Sequence, residues 1–101
     1  MKTIIFHPDT VTRNAIRRRV EFLGHIVLHD DSSLYQALIG VMERRPNVAV
    51  LVELEPAMRH RTETLFAQWA ILTRIVWLPP DLRGPGLETH LQKEFSNLDA
   101  A

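Results

Sequence analysis

Ile4-Ile5-Phe6-His7-Pro8-Asp9 and Val48-Ala49-Val50-Leu51-Val52 decide how this chain folds. Both are short apolar, β-branched runs of strand length, and each is followed by a stretch with helical periodicity. The first closes on His-Pro-Asp, whereas the second closes on Val52 with no carboxylate at its end. In an open parallel sheet the carboxyl ends of the strands form the ligand crevice, so these two endings define where chemistry would sit.

Two further runs complete the set. The predicted strands are Thr3 to Phe6, His25 to Leu28, Val48 to Val52 and Arg74 to Leu78, alternating with four amphipathic stretches. That rhythm specifies βαβ units around a parallel sheet. A first helix from about Thr10 to Leu23 turns Ile16, Val20 and Leu23 inward, with Asp9 or Thr10 as its cap and Gly24 closing it. The second begins behind Ser32 or Ser33, carries Leu34, Leu38, Val41 and Met42 on one face, and stops before Pro46. A third is expected from about Thr62 to Leu72, with Leu65, Phe66 and Trp69 inward and Arg59-His60-Arg61 leading in. The fourth follows Gly84-Pro85-Gly86 and spaces Leu87, Leu91 and Phe95 at i, i+4 and i+8. Right-handed crossovers then give a strand order of 2-1-3-4 with helices on both faces, and a switch point between strands one and three.

Length and composition bound the rest. The chain has 101 residues, 46% of them hydrophobic, which fits one domain spanning 1–101. Twelve Lys and Arg balance twelve Asp and Glu, so no whole-molecule field draws it to nucleic acid or an anionic membrane. No cysteine is present, which excludes disulfides, thiolate metal sites and thiol nucleophiles. The apolar start is too short for a signal peptide and no run approaches membrane-spanning length, so a cytoplasmic location is expected.

The first forty-five positions, with Lys2-Thr3-Ile4-Ile5-Phe6, Thr12-Arg13-Asn14-Ala15-Ile16-Arg17-Arg18-Arg19 and Glu21-Phe22-Leu23-Gly24-His25, resemble the receiver domain of bacterial response regulators. Pro46-Asn47-Val48-Ala49-Val50-Leu51, with Pro56 four residues past Val52, looks like that family's phosphoacceptor strand and its following loop. The likeness covers roughly residues 2 to 80 and implies a flavodoxin-like, receiver-like open sheet. It further implies an acidic, Mg²⁺-holding pair at His7 and Pro8, a phosphoacceptor at Val52, and a switch hydroxyl at Pro79. None of the four can do that work. Val52 has no nucleophilic atom and Pro8 has neither a carboxylate nor an N–H, so acyl phosphate formation and hard-cation binding there are excluded. The family's fifth strand and its lysine have no counterpart before residue 101.

Other constellations have plainer readings. His7, Asp9, His29, Asp30 and Asp31 are a conceivable zinc or nickel donor set, but no His-x-x-x-His spacing occurs, and His29-Asp30-Asp31-Ser32 reads as a turn and helix cap. No metal and no cofactor is therefore expected. Arg17-Arg18-Arg19, Arg44-Arg45 and Arg59-His60-Arg61 lie on different elements, which argues for solvated faces or an acidic protein partner over direct nucleic-acid binding. The last strand is apolar on both sides and would be a sheet edge. It is expected to be covered by the Leu87 to Leu98 segment, by a second copy in a homodimer, or by more chain.

The expected function is a non-enzymatic, phosphorylation-independent regulatory module for bacterial signalling or transcription control. It would dock through the surface from Trp77 to Phe95, with Ile75, Trp77, Leu87, Leu91 and Phe95 as the interface. The alternative is a small-molecule, metal or pH sensor using His7, Asp9, His29 and Glu53.

Overall fold

A computed structural model describes residues 1–100. The order is β1 (Lys2–Phe6), α1 (Thr10–Phe22), β2 (Ile26–Asp31), α2 (Leu34–Arg44), β3 (Val48–Val52), α3 (Pro56–Trp69), β4 (Arg74–Leu78) and α4 (Gly84–Ala100). All strand pairs are parallel and the order is β2-β1-β3-β4, a flavodoxin-like arrangement. β1 and β3 are almost wholly buried because each has a strand on either side and helices above and below.

The layers follow from the crossovers. α2 and α3 share one face, where Tyr35, Leu38 and Met42 meet Leu65 and Trp69 across a groove. α1 and α4 share the other, joined by an Arg19 to Gln92 hydrogen bond of 2.9 Å and by stacking of His25 on Phe95 with centroids 4.5 Å apart. Caps agree with the sequence. Asp9 accepts from the Thr12 N–H, Ser33 from the Gln36 N–H, and Gly24 leaves α1 at φ +93°, a backbone region where a Cβ is strained.

Four expectations are corrected. β2 runs on through Asp31, so His29, Asp30 and Asp31 are strand residues and not a turn: Phe6 still pairs with Asp31, and a register shift after Thr3 absorbs Leu28. α3 starts at Pro56, not Thr62. Proline at the first helical position has its φ preset and lacks only an N–H that would be free anyway, so the residue read as loop is the helix start. The longer helix carries Arg59-His60-Arg61 within it and turns Met58, Thr62 and Phe66 inward, leaving Trp69 72% exposed at its end. On α2, the innermost residues are Ala37, Gly40 and Val41, since Gly40 lets the helix approach within contact of Ile4 and His29.

The fourth correction concerns the surface. Leu87, Leu91 and Phe95 are buried in the core, so three of the five expected interface residues are not available to a partner. Their regular spacing is the signature of a core-facing stripe. Ile75 and Trp77 remain half-exposed on β4.

Candidate functional site

The switch point lies between the ends of β1 and β3, where the register Phe6 to Leu51 sets His7 beside Val52. Val52 has no solvent exposure and His7 only 2%. The Asp9 N–H donates to His7 Nδ1 at 3.0 Å, so the neutral ring carries its proton on Nε2, which has no partner among the described residues. Burial pushes the His7 pKa down, and the charge of Arg83 pushes the same way. Arg13 donates to the His7 carbonyl at 2.9 Å and locks the turn. This is a closed, packed strand end that sets an aliphatic side chain beside a buried imidazole.

Each carboxylate near it already has a structural task. Asp9 caps α1, and the Thr12 hydroxyl and N–H hold its pKa below the usual carboxylate range. Asp30 bridges α1 to β2 through Arg13 at 3.0 Å and Arg17 at 2.5 Å. Asp31 accepts from the Ser33 N–H at 2.9 Å and sits 3.1 Å from His29 Nε2; these contacts, led by the Ser33 N–H, lower its pKa. Glu53 accepts from Arg59 at 2.7 Å, and Glu55 pairs with Arg61. Pro8 and Pro79 are exposed and carry no chemistry.

Of the four expected sensor residues only His7 and Asp9 come together, through the Asp9 N–H, while the other two lie on different elements. His7 is buried at the strand end and Asp9 caps α1, whereas His29 lies against Gly40 of α2 and Glu53 against Arg59 of α3. Among the described residues no group of three or more His, Asp or Glu is arranged to hold a metal ion, and no helix is long and apolar enough to cross a membrane. The arginines do not converge either: Arg17 is tied to Asp30, Arg19 lies 4.8 Å from the Phe22 ring centre, and Arg59 and Arg61 are paired on α3.

What the sequence did not reveal is a linked chain on the α3 side. Glu53 holds Arg59, whose guanidinium lies 5.2 Å from the centre of the Trp77 ring, and the Trp77 indole N–H donates to Glu63 at 3.1 Å. It fixes Trp77 of β4 onto α3. Starting α3 at Pro56 would have exposed the signal, because Arg59 and Glu63 then stand one helical turn apart on one face.

Apolar surface gathers on this same side of the molecule. The α2–α3 groove, about 570 Å³, is lined by Tyr35, Leu38, Ile39, Met42, Leu65 and Trp69, with Glu43 and Arg45 at its rim. Tyr35 and Trp69 are both largely exposed, as are Ile71 and Leu72 in the α3–β4 connection. Comparison of the chain with protein-family profiles, characterised proteins and solved structures finds no match.

Proposed function

We propose that this chain is a receiver-like regulatory module that acts by docking on another protein, without catalysis and without phosphoryl transfer, in bacterial signalling or transcription control. The observation that carries the reading is the contrast between the two ends of the fold's chemistry. The switch point holds the aliphatic Val52 against a buried neutral His7, with its neighbouring carboxylates engaged in caps and ion pairs. The uncommitted surface is apolar and aromatic, centred on Tyr35 and Trp69. Contiguous exposed apolar patches with an aromatic centre and charged rim are features of protein interfaces.

The test has two arms. Incubation with acetyl phosphate and Mg²⁺ leaves the intact mass unchanged; a stoichiometric phosphoryl adduct on Asp9, Glu53 or Glu55 overturns the reading. A partner recovered from the source organism binds the purified chain with an affinity that acetyl phosphate does not alter and that Trp69→Asp weakens at least about tenfold. Binding that requires phosphoryl donor, or that ignores Trp69 and Tyr35, counts against it.

A further inference from the structure

The two edges of the sheet are built differently. β2 is interrupted by a register shift and carries His29, Asp30 and Asp31 along its second half, devices that discourage a further strand from adding. β4, Arg74-Ile75-Val76-Trp77-Leu78, pairs with β3 in unbroken register and has a single charge at its start. Arg74 N–H donates to Asn47 O and Leu78 O accepts from Glu53 N–H, both at 2.9 Å. In a parallel ladder alternate residues send both backbone groups to the same neighbour, so Arg74, Val76 and Leu78 face β3 while Ile75 and Trp77 direct theirs off the sheet. Among the described residues no strand receives them. Only the Trp77 carbonyl is met, by His90 Nε2 of α4 at 3.1 Å, and a carbonyl has a second lone pair.

We infer that this edge is a homodimer seam, in which β4 pairs antiparallel with β4 of a second copy about a two-fold axis at Val76. The register is forced by which groups are free. Centring on Val76 sets Ile75 opposite the partner's Trp77 and Trp77 opposite the partner's Ile75, so both free residues of each chain exchange reciprocal hydrogen bonds. Centring on Ile75 would set Trp77 opposite the partner's Thr73, whose N–H is already given to Ala70 O at 2.9 Å. Centring on Trp77 would set Ile75 opposite the partner's Pro79, which has no N–H.

The side chains agree with this register. Ile75 and Trp77 line the α3 side of the edge beside an open groove of about 460 Å³ shared with Glu63, Phe66, Ala67 and Ile71. Each would face its counterpart as an aromatic and β-branched cross-strand pair. Leu72, 88% exposed, comes opposite the partner's Pro80. The two Arg74 side chains fall at opposite ends of the seam, roughly 13 Å apart along the strands, beyond the screening length of about 8 Å at physiological salt. The chain's formal charge of zero adds no net repulsion. The symmetry closes the contact at two copies.

The seam does not rest on docking at Trp69, and its failure is read separately. Sedimentation of the wild-type chain across a dilution series should show a monomer–dimer equilibrium. Hydrogen exchange should slow the Ile75 and Trp77 amides by about tenfold or more in the dimer relative to the dilute sample. Ile75→Pro removes an N–H that bonds to nothing among the described residues and should give a folded monomer by circular dichroism. Val76→Cys, placed on the axis of a chain with no other cysteine, should oxidise to a disulfide dimer, since facing residues there lie about 4.5 Å apart at Cα. A strict monomer at every concentration, or a dimer in which the Ile75 and Trp77 amides exchange freely, overturns the seam.

Discussion

Placing an aspartate at Val52 tests how closed the switch point is. Val52 is fully buried between strands and faces the same side as His7. Val52→Asp removes two methyl groups, about 1.6 kcal/mol at roughly 0.8 kcal/mol each. It also buries a carboxylate with no built partner, which costs about 3–5 kcal/mol. The sum, roughly 5–7 kcal/mol, compares with a total stability of about 5–15 kcal/mol for a domain this size. Val52→Asp should therefore lose much or all of its stability at neutral pH, a fall of about 20 °C or more in melting temperature. Val52→Thr keeps the shape, replaces one methyl group with a hydroxyl, and should lose about 1–3 kcal/mol. Burial raises the introduced carboxyl's pKa. The deficit should thus be smallest near and below the ordinary carboxylate value of 3.8 and grow as the pH rises toward neutrality. Urea unfolding followed by tryptophan fluorescence at matched pH values measures all three proteins. A Val52→Asp protein within about 1 kcal/mol of wild type at neutral pH, or one that accepts a phosphoryl group from acetyl phosphate with Mg²⁺, would refute the reasoning.

Three more outcomes follow from the packing and titration of the chain. Phe95→Ala, which empties the core position stacked on His25, should cost about 3–5 kcal/mol, whereas Trp69→Ala on the exposed end of α3 should stay within about 0.5 kcal/mol of wild type; thermal melts compare them. Gly24→Ala meets open space but holds φ +93°, so it should lose about 1–2 kcal/mol from backbone strain alone, measured by chemical denaturation. Burial lowers the pKa of His7 and His25 in the folded chain, so protonation favours the unfolded state; stability should be steady above the ordinary imidazole value of 6.5 and decline below it. Asp9 and Asp31, with folded pKa values lowered by their hydrogen bonds, should add a second loss as the pH falls below 3.8. Denaturation midpoints across acid pH record both limbs, and His7→Gln should flatten the upper one.

Strand order was legible because each apolar run had strand length and each intervening stretch had helical period, and chain handedness leaves few ways to join them. The lack of a carboxylate at Pro8 and Val52 was legible too, since it depends on residue type alone, whatever the surroundings. Boundaries were less so. Pro56 opens a helix or sits in a loop with equal local ease, and the packing of Met58, Thr62 and Phe66 on the sheet decides it. His29-Asp30-Asp31 reads as a turn until β1 offers it a ladder.

The sequence by itself determined the alternation of elements, the two-faced sheet and the aliphatic residue, Val52, at its switch point, because these depend on residue type and period. Only the tertiary structure decided which apolar residues reach the surface. Leu87, Leu91 and Phe95 and the pair Trp69 and Trp77 are equally apolar in one dimension, yet the crossing of α4 onto α1 buries the first three. It leaves Trp69 in solvent, and the Arg59 and Glu63 contacts hold Trp77 at the open edge of the sheet. Periodicity says that a stripe will be buried against something; three-dimensional packing selects what that something is, and which stripe is left over.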